Sequence, residues 1–277
     1  DHSGRMWIGT FEGGVSIYDP QTATLTRLED PSGANPWLSS VRAAAIVEDL
    51  NGYVWIGTDG QGLLLVDPTS GLLRRYLEDA QSADSLSSNA IYDLLVDANG
   101  SLWIGTGGGG LDRLVGSSLK PAAVQFRNLG TRDGLPNAVI YGIEQDRSGN
   151  LWVSSNSGLS RLNPANNEIK TFHTPHGAQG EEYNFGAHHQ SRDGRLLFGG
   201  TDGYNDFDPR LLQLNERQPG LILTNLAILN QDRLTGKSAH LPPMVELGYR
   251  ENLLSIGFAA TDFTDPLKNS YMYQLVG

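Results

Sequence analysis

Four histidines, His173, His176, His188 and His189, are the side chains of this sequence best suited to metal chemistry, since neutral imidazole is a good zinc or copper ligand. His173-Thr174-Pro175-His176 falls in a link, however, and no carboxylate stands at a metalloprotease spacing. Glu181-Glu182 supplies the two carboxylates that glycoside hydrolysis needs, but neighbouring residues of a strand point to opposite faces and cannot flank one bond. Gly105-Thr106-Gly107-Gly108-Gly109-Gly110 fits the pattern G-x-G-x-x-G. A dinucleotide site requires a helix next, to hold the pyrophosphate at its N-terminus, whereas Leu111-Asp112-Arg113-Leu114 reads as a strand. Asp49-Leu50-Asn51-Gly52 and Asp97-Ala98-Asn99-Gly100 share the opening of a calcium loop without its bidentate Glu. A nucleophile elbow and the Lys of a phosphate-binding loop are missing, and there is no cysteine. The residues therefore predict no catalytic machinery, no metal site and no cofactor.

What positions the remaining polar and aromatic side chains is a repeat. Met6-Trp7-Ile8-Gly9-Thr10 returns as Val54-Trp55-Ile56-Gly57-Thr58 and as Leu102-Trp103-Ile104-Gly105-Thr106. Weaker copies are Leu151-Trp152-Val153-Ser154-Ser155 and Leu197-Phe198-Gly199-Gly200-Thr201, the last without Trp. A period of about 48 residues holding four short strands and a link is the pattern of a β-propeller blade. In the second copy, Val41 to Glu48 reads as the innermost strand, Tyr53 to Thr58 and Leu63 to Asp67 as the next two, and Leu72 to Tyr76 as the outermost. The fold class is all-β, with about five blades of a larger ring.

Alternating strand directions bring the turn between second and third strands out on the same side as the inter-blade links. Loops on a rigid scaffold are where ligands bind. The candidate ligand residues on that side are Tyr92, Tyr141, Asn89, Asn137, Tyr183, Asn184, Trp37 and Asn156, together with Asp59 and Gln61. Tyr and Asn combine flat apolar surface with donors and acceptors, which suits a sugar or another neutral polar molecule.

A formal net charge of −11 repels phosphate backbones and anionic lipid, so nucleic acid is not an expected partner. The apolar runs of the chain are too short for a spanning helix. The periodicity stops after Pro209. Leu221 to Leu229 and Leu253 to Ala259 read as strands of a second β unit, and Tyr271-Met272-Tyr273-Gln274-Leu275 as another. The expected domains are blades over 1–218 and an incomplete immunoglobulin-like sandwich over 219–277.

The combination of Asp-x-x-Gly, Leu-Trp-Ile-Gly-Thr, a Gly-rich turn and Asp-Pro resembles the two-component regulator propeller repeat, most closely at Asp97 to Thr106. The links Ser85-Leu86-Ser87-Ser88-Asn89 and Asp133-Gly134-Leu135-Pro136-Asn137 resemble it too. Phe258-Ala259-Ala260-Thr261-Asp262-Phe263 and Tyr271-Met272-Tyr273-Gln274-Leu275-Val276-Gly277 resemble the three-tyrosine domain that follows such propellers. Departures are Ser154 in place of Gly and the missing Trp of the last copy. The resemblance implies the periplasmic, ligand-sensing part of an inner-membrane receptor with a histidine kinase or diguanylate cyclase output. It further implies propellers of roughly seven blades, oligosaccharide ligands in relatives, a membrane-anchored parent and a homodimer through the sandwich.

Three classes of function follow. The first is a non-catalytic binding module. The second, a propeller lyase or hydrolase, would be favoured by a carboxylate and a histidine of perturbed pKa converging at the mouth. The third, a protein-interaction scaffold, would be favoured by an exposed apolar patch on one face.

Overall fold

The computed structural model describes residues 1–30, 33–212, 220–232, 247–261 and 271. They belong to two compact units, Asp1–Leu212 and Gln213–Gly277. The expected boundary at 218/219 lies outside the described residues, as do residues 272–275 of the expected last strand.

Unit 1 consists of five antiparallel sheets in chain order. Blade 1 is β1 (Met6–Gly9), β2 (Val15–Asp19) and β3 (Thr24–Arg27). Blade 2 is β4 (Ala43–Glu48), β5 (Val54–Thr58), β6 (Leu63–Asp67) and β7 (Gly71–Tyr76). Blade 3 is β8 (Ile91–Val96), β9 (Leu102–Thr106), β10 (Leu111–Val115) and β11 (Gln125–Leu129). Blade 4 is β12 (Ile140–Gln145), β13 (Leu151–Ser155), β14 (Gly158–Asn163) and β15 (Glu168–Phe172). Blade 5 is β16 (Tyr183–Gln190), β17 (Leu196–Gly200) and β18 (Gly203–Phe207). Each blade is ordered as the sequence reads, and the innermost strands β4, β8, β12 and β16 pack one against the next.

Among the described residues, the first and fifth blades show three strands rather than four. Blade 1 holds the equivalents of β5 to β7. In blade 5, Pro209 opens a short 3-10 turn, Pro209–Leu211, at the point where the third strand ends. Glu181 and Glu182 also differ from expectation: they precede β16 and lie in the link, not in a strand.

Every residue of the Trp-Ile-Gly-Thr motif has its own task. Trp55, Trp103 and Trp152 are fully buried against the following blade, while Ile56, Ile104 and Val153 face the preceding one. Gly57 and Gly105 admit Ile91 and Ile140 of the next innermost strand into the space of a side chain. Thr58 and Thr106 lock the turn, each hydroxyl donating to the carbonyl of Gly62 or Gly110 while accepting a backbone N–H from within the turn.

The Asp of Asp-x-x-Gly does more than turn the chain. Asp97 Oδ1 accepts the backbone N–H groups of Asn99 and Ser101, both at 2.9 Å, and Oδ2 accepts the Trp103 indole N–H at 2.9 Å. Asp1–Trp7, Asp49–Trp55 and Asp146–Trp152 repeat the indole bond. In blade 5 both partners change together, to Ser191 and Leu197. The register pairs Leu197 with Asp206 and Phe198 with Asn205, so Phe198 occupies the Ile column, not the Trp column.

One glycine column is set by geometry. Gly110 has φ +92°, and a Cβ there would overlap the Leu129 carbonyl; Gly60 has φ +91° with open space around it. Gly110→Ala is expected to cost about 2–4 kcal/mol against about 1 kcal/mol for Gly60→Ala, because only the former adds a backbone collision to the left-handed strain. Urea unfolding of both variants checks this. Equal losses would mean that the collision is relieved freely.

The described residues of unit 2 form one antiparallel sheet, ordered β20–β19–β21, from β19 (Leu221–Ile228), β20 (Gln231–Asp232) and β21 (Leu254–Ala260). The Tyr271 hydroxyl accepts the Ala260 N–H at 3.0 Å, and its ring meets Phe258 edge-on at 5.0 Å. Among the described residues, no helix of the chain is long and apolar enough to cross a membrane.

Candidate functional site

Links and second-to-third turns meet on one side of unit 1. Gly60 and Gly62 donate to the Asn89 carbonyl, Gly107 to that of Ala90, Gly110 to that of Ala138 and Gly158 to that of Glu181. On this side the pairing of the innermost strands slips. The register shifts between Ile91 and Asp93 in β8, and between Ile140 and Gly142 in β12. Tyr92 and Tyr141 are thus the extra residues of two β-bulges, devices that re-aim a side chain out of the pleat. In β16 the irregularity is longer, from Tyr183 to His188, and it contains Phe185.

The re-aimed rings converge. Tyr92 and Tyr141 stack with centroids 6.0 Å apart and planes 5° from parallel. Phe185 meets Tyr92 edge-on at 5.3 Å, and Phe11 meets Phe185 at 6.4 Å. The Arg42 guanidinium lies 5.6 Å from the Phe11 ring and pairs with Asp59 at 3.0 Å. Gly107 leaves open the space that the Tyr92 ring takes. Burial first, then the Asp59 charge and Tyr141, push the Tyr92 hydroxyl above its usual range, with Arg42 opposing. Phe11, Arg42 with Asp59, Tyr92, Tyr141 and Phe185 come from blades 1, 2, 3, 4 and 5 in turn. Phe11 and Phe185 remain exposed, at 54% and 39%.

The other residues anticipated from sequence have different surroundings. Asn89 accepts the Glu78 N–H and Asn137 that of Val139, so both oxygens serve the links. Tyr183 is 1% exposed, in the core between blades 4 and 5. Its hydroxyl donates to Asn205 and is pushed up to about 12 by burial; it presents nothing to solvent. Asn184 is exposed. Trp37 is half-buried in the Pro36–Ser40 turn, with the Arg75 guanidinium 4.5 Å over its ring. Asn156 stands in the same turn column as Phe11 and Asp59. Its Oδ1 is the one buried side-chain polar atom among the described residues that lacks a hydrogen-bond partner. Phe11, Phe185 and Arg42 were not anticipated. For Phe11 the signal was its place in the column of Asp59 and Asn156.

A second constellation lies on the same three strands. His188 of β16 faces Glu144 of β12 through Nδ1 at 2.9 Å and Asp93 of β8 through Nε2 at 3.2 Å. Asp93 also accepts the Ile143 N–H at 2.6 Å. Burial pushes Asp93 up to about 6, although the His188 charge and the Ile143 N–H pull it down. For His188, burial favours the neutral ring, but the Glu144 hydrogen bond and the two carboxylate charges outweigh it and raise the pKa. A carboxylate and a histidine of perturbed pKa do therefore converge. Both ring nitrogens are engaged, which leaves neither aimed at a substrate. Among the described residues no three or more His, Asp or Glu side chains are arranged to hold a metal ion. His173 instead pairs with Glu181 at 2.6 Å.

The two component regulator propeller family matches residues 85–108 and 134–157. These are the links, innermost strands and Trp strands of blades 3 and 4. Histidine kinase P4 of Formosa agariphila is 29% identical over 131 residues, which are 45% of this chain and 10% of that protein. The extracellular domain of a hybrid two component system from B. thetaiotaomicron superimposes with TM-score 0.72 at 23% identity, covering 96% of this chain and 35% of that one. Virginiamycin B lyase from Staphylococcus aureus superimposes with TM-score 0.51 at 17% identity, over 80% of this chain and 71% of that one. At these identities the structural likenesses establish the propeller fold. The chain spans about a tenth of the curated relative and about a third of the solved extracellular domain.

Proposed function

We propose that this chain, which carries two-component regulator propeller repeats, is the ligand-sensing part of an extracytoplasmic receptor region, and that its ligand binds on the aromatic cluster at the link side. The observation that carries the reading is the convergence of one or more side chains from every blade on a single patch. A molecule lying across it would touch all five blades at once, which is what a sensor needs to convert occupancy into a change of blade arrangement. The stacked tyrosines and the exposed Phe11 and Phe185 offer flat apolar faces. Arg42 and Asp59 offer hydrogen bonds at the same side. That mixture suits the C–H faces and hydroxyls of a neutral saccharide.

The similarity to the extracellular domain of a hybrid two component system and to a histidine kinase supports receptor membership and an extracytoplasmic location. The similarity to a lyase keeps an enzyme in view. Against it stands His188, the histidine nearest these aromatics along β16, whose two nitrogens are both taken by carboxylates.

Thermal unfolding in the presence of a panel of neutral di- to hexasaccharides tests the proposal. At least one saccharide is expected to raise Tm saturably, by roughly 5–10 °C at a hundredfold excess over Kd. A panel without any saturable shift, or turnover of the bound sugar, would count against a non-catalytic saccharide sensor.

A further inference from the structure

The three aromatic rings at the heart of the patch and the three members of the histidine cluster share the same three strands. β8 carries Tyr92 and Asp93, β12 carries Tyr141 and Glu144, and β16 carries Phe185 and His188. We propose that Asp93, His188 and Glu144 form a protonation-dependent clasp that holds these three innermost strands in the mutual placement that brings Tyr92, Tyr141 and Phe185 together, so that the mouth is assembled when His188 is protonated and loosened when it is not.

The geometry carries this. An imidazolium has two N–H donors, and here both meet carboxylates on different strands, at 2.9 and 3.2 Å. A neutral imidazole has one donor, so one of the two contacts becomes lone pair against lone pair beside a second negative charge. Among the described residues, the charged groups facing His188 are Asp93 from β8 and Glu144 from β12. The other neighbours are uncharged: Gly142, whose missing side chain makes room for the ring, and Phe198 of β17, stacked at 6.3 Å. At this end each of the three strands is also less constrained by its own blade, because the bulges at Tyr92 and Tyr141 and the long irregularity in β16 interrupt the ladders to β9, β13 and β17.

The direction with pH follows from linkage. His188 is raised above its usual value, so its contribution is fully present below the unfolded value and is lost as pH rises through the folded one. Asp93 is raised as well, to about 6 from 3.8, so the folded state binds its proton more tightly and stability falls with rising pH across that window too. The clasp is closed while His188 is protonated and opens as pH rises through its folded value; where Asp93 itself takes up a proton, near 6, it still accepts from the imidazolium through its carbonyl oxygen.

As regulation of the ligand patch this rests on the reading given under Proposed function, but the clasp itself is measurable without ligand. NMR of the unliganded protein between pH 5 and 8.5 would follow the His188 imidazole and the rings of Tyr92 and Tyr141. The His188 midpoint is expected above 6.5, with both tyrosine rings shifting at that same midpoint. In His188→Gln the tyrosine step at the His188 midpoint should vanish, leaving only the step at which Asp93 titrates, and Tm at pH 5.5 should fall by roughly 5–10 °C. If that variant does not fold, Glu144→Gln, which keeps an isosteric acceptor, should lower the His188 midpoint and the tyrosine midpoint together. Tyrosine rings that ignore the His188 titration, or a His188 midpoint at or below 6.5, would overturn the clasp. Failure of the saccharide panel with intact coupling would overturn only the ligand reading.

Discussion

Trp103→Ala lowers stability by about 4–6 kcal/mol, a Tm loss of roughly 10–20 °C in a domain of this size. Two costs coincide. The indole is fully buried against Leu151 and Val153 of the next blade, so its removal opens a cavity between two sheets. Asp97, 3% exposed, loses at Oδ2 the N–H at 2.9 Å that offsets its burial. Trp103→Phe keeps most of the volume and isolates the second cost, about 1–3 kcal/mol. Asp97→Asn is expected to cost a similar amount, since an amide cannot accept the indole and both backbone N–H groups. The double variant Trp103→Phe/Asp97→Asn should lose less than the two single losses together, because the unsatisfied pair is removed as a unit. Blade 5 already carries such a joint replacement, Ser191 with Leu197. Additive losses, read by urea unfolding, would show that Asp97 and Trp103 act independently.

The repeat made most of unit 1 readable, because each motif letter answers to a local demand. Strand limits such as Leu63–Asp67 and Leu111–Val115 follow from Gly before and Pro or Gly after. The link side could be deduced from strand alternation, and the column holding Tyr92 and Tyr141 was visible. Two things were not legible. The bulges that aim these two rings depend on how β8 and β12 pair with β9 and β13, and no residue type marks the slip. The partners of His188 stand one and two repeats away, at Glu144 and Asp93, so spacing within a repeat is silent about them. The Asp–Trp bond was within reach: Asp1, Asp49, Asp97 and Asp146 each stand six residues before a Trp, and only in the copy without Trp does the Asp vanish too. Tyr183 stands at the start of an innermost strand, as the mouth residues do, and nothing in the sequence marks its burial. In the folded chain the hydroxyl finds Asn205 of β18, which draws the ring into the core.

The patch itself is most directly tested by removing its two stacked rings. Tyr92→Ala/Tyr141→Ala takes away the pair that lies 6.0 Å apart in parallel planes, and with it the surface against which Phe185 rests. Both rings are half-buried bulge residues, and although Tyr141 also packs against the edge of the Trp152 cluster, the buried Trp residues stay in place, so the propeller should remain folded, with a loss of about 1–3 kcal/mol. Binding energy concentrates in aromatic anchors, and losing both should weaken a saccharide by about 3 kcal/mol, roughly a hundredfold. The decisive measurement is isothermal titration of the wild type and the double variant with the saccharide that stabilises the wild type most. The predicted result is saturable wild-type binding that is at least about a hundredfold weaker in a folded double variant. Undiminished affinity in that variant would place the ligand elsewhere and contradict the assignment of this patch.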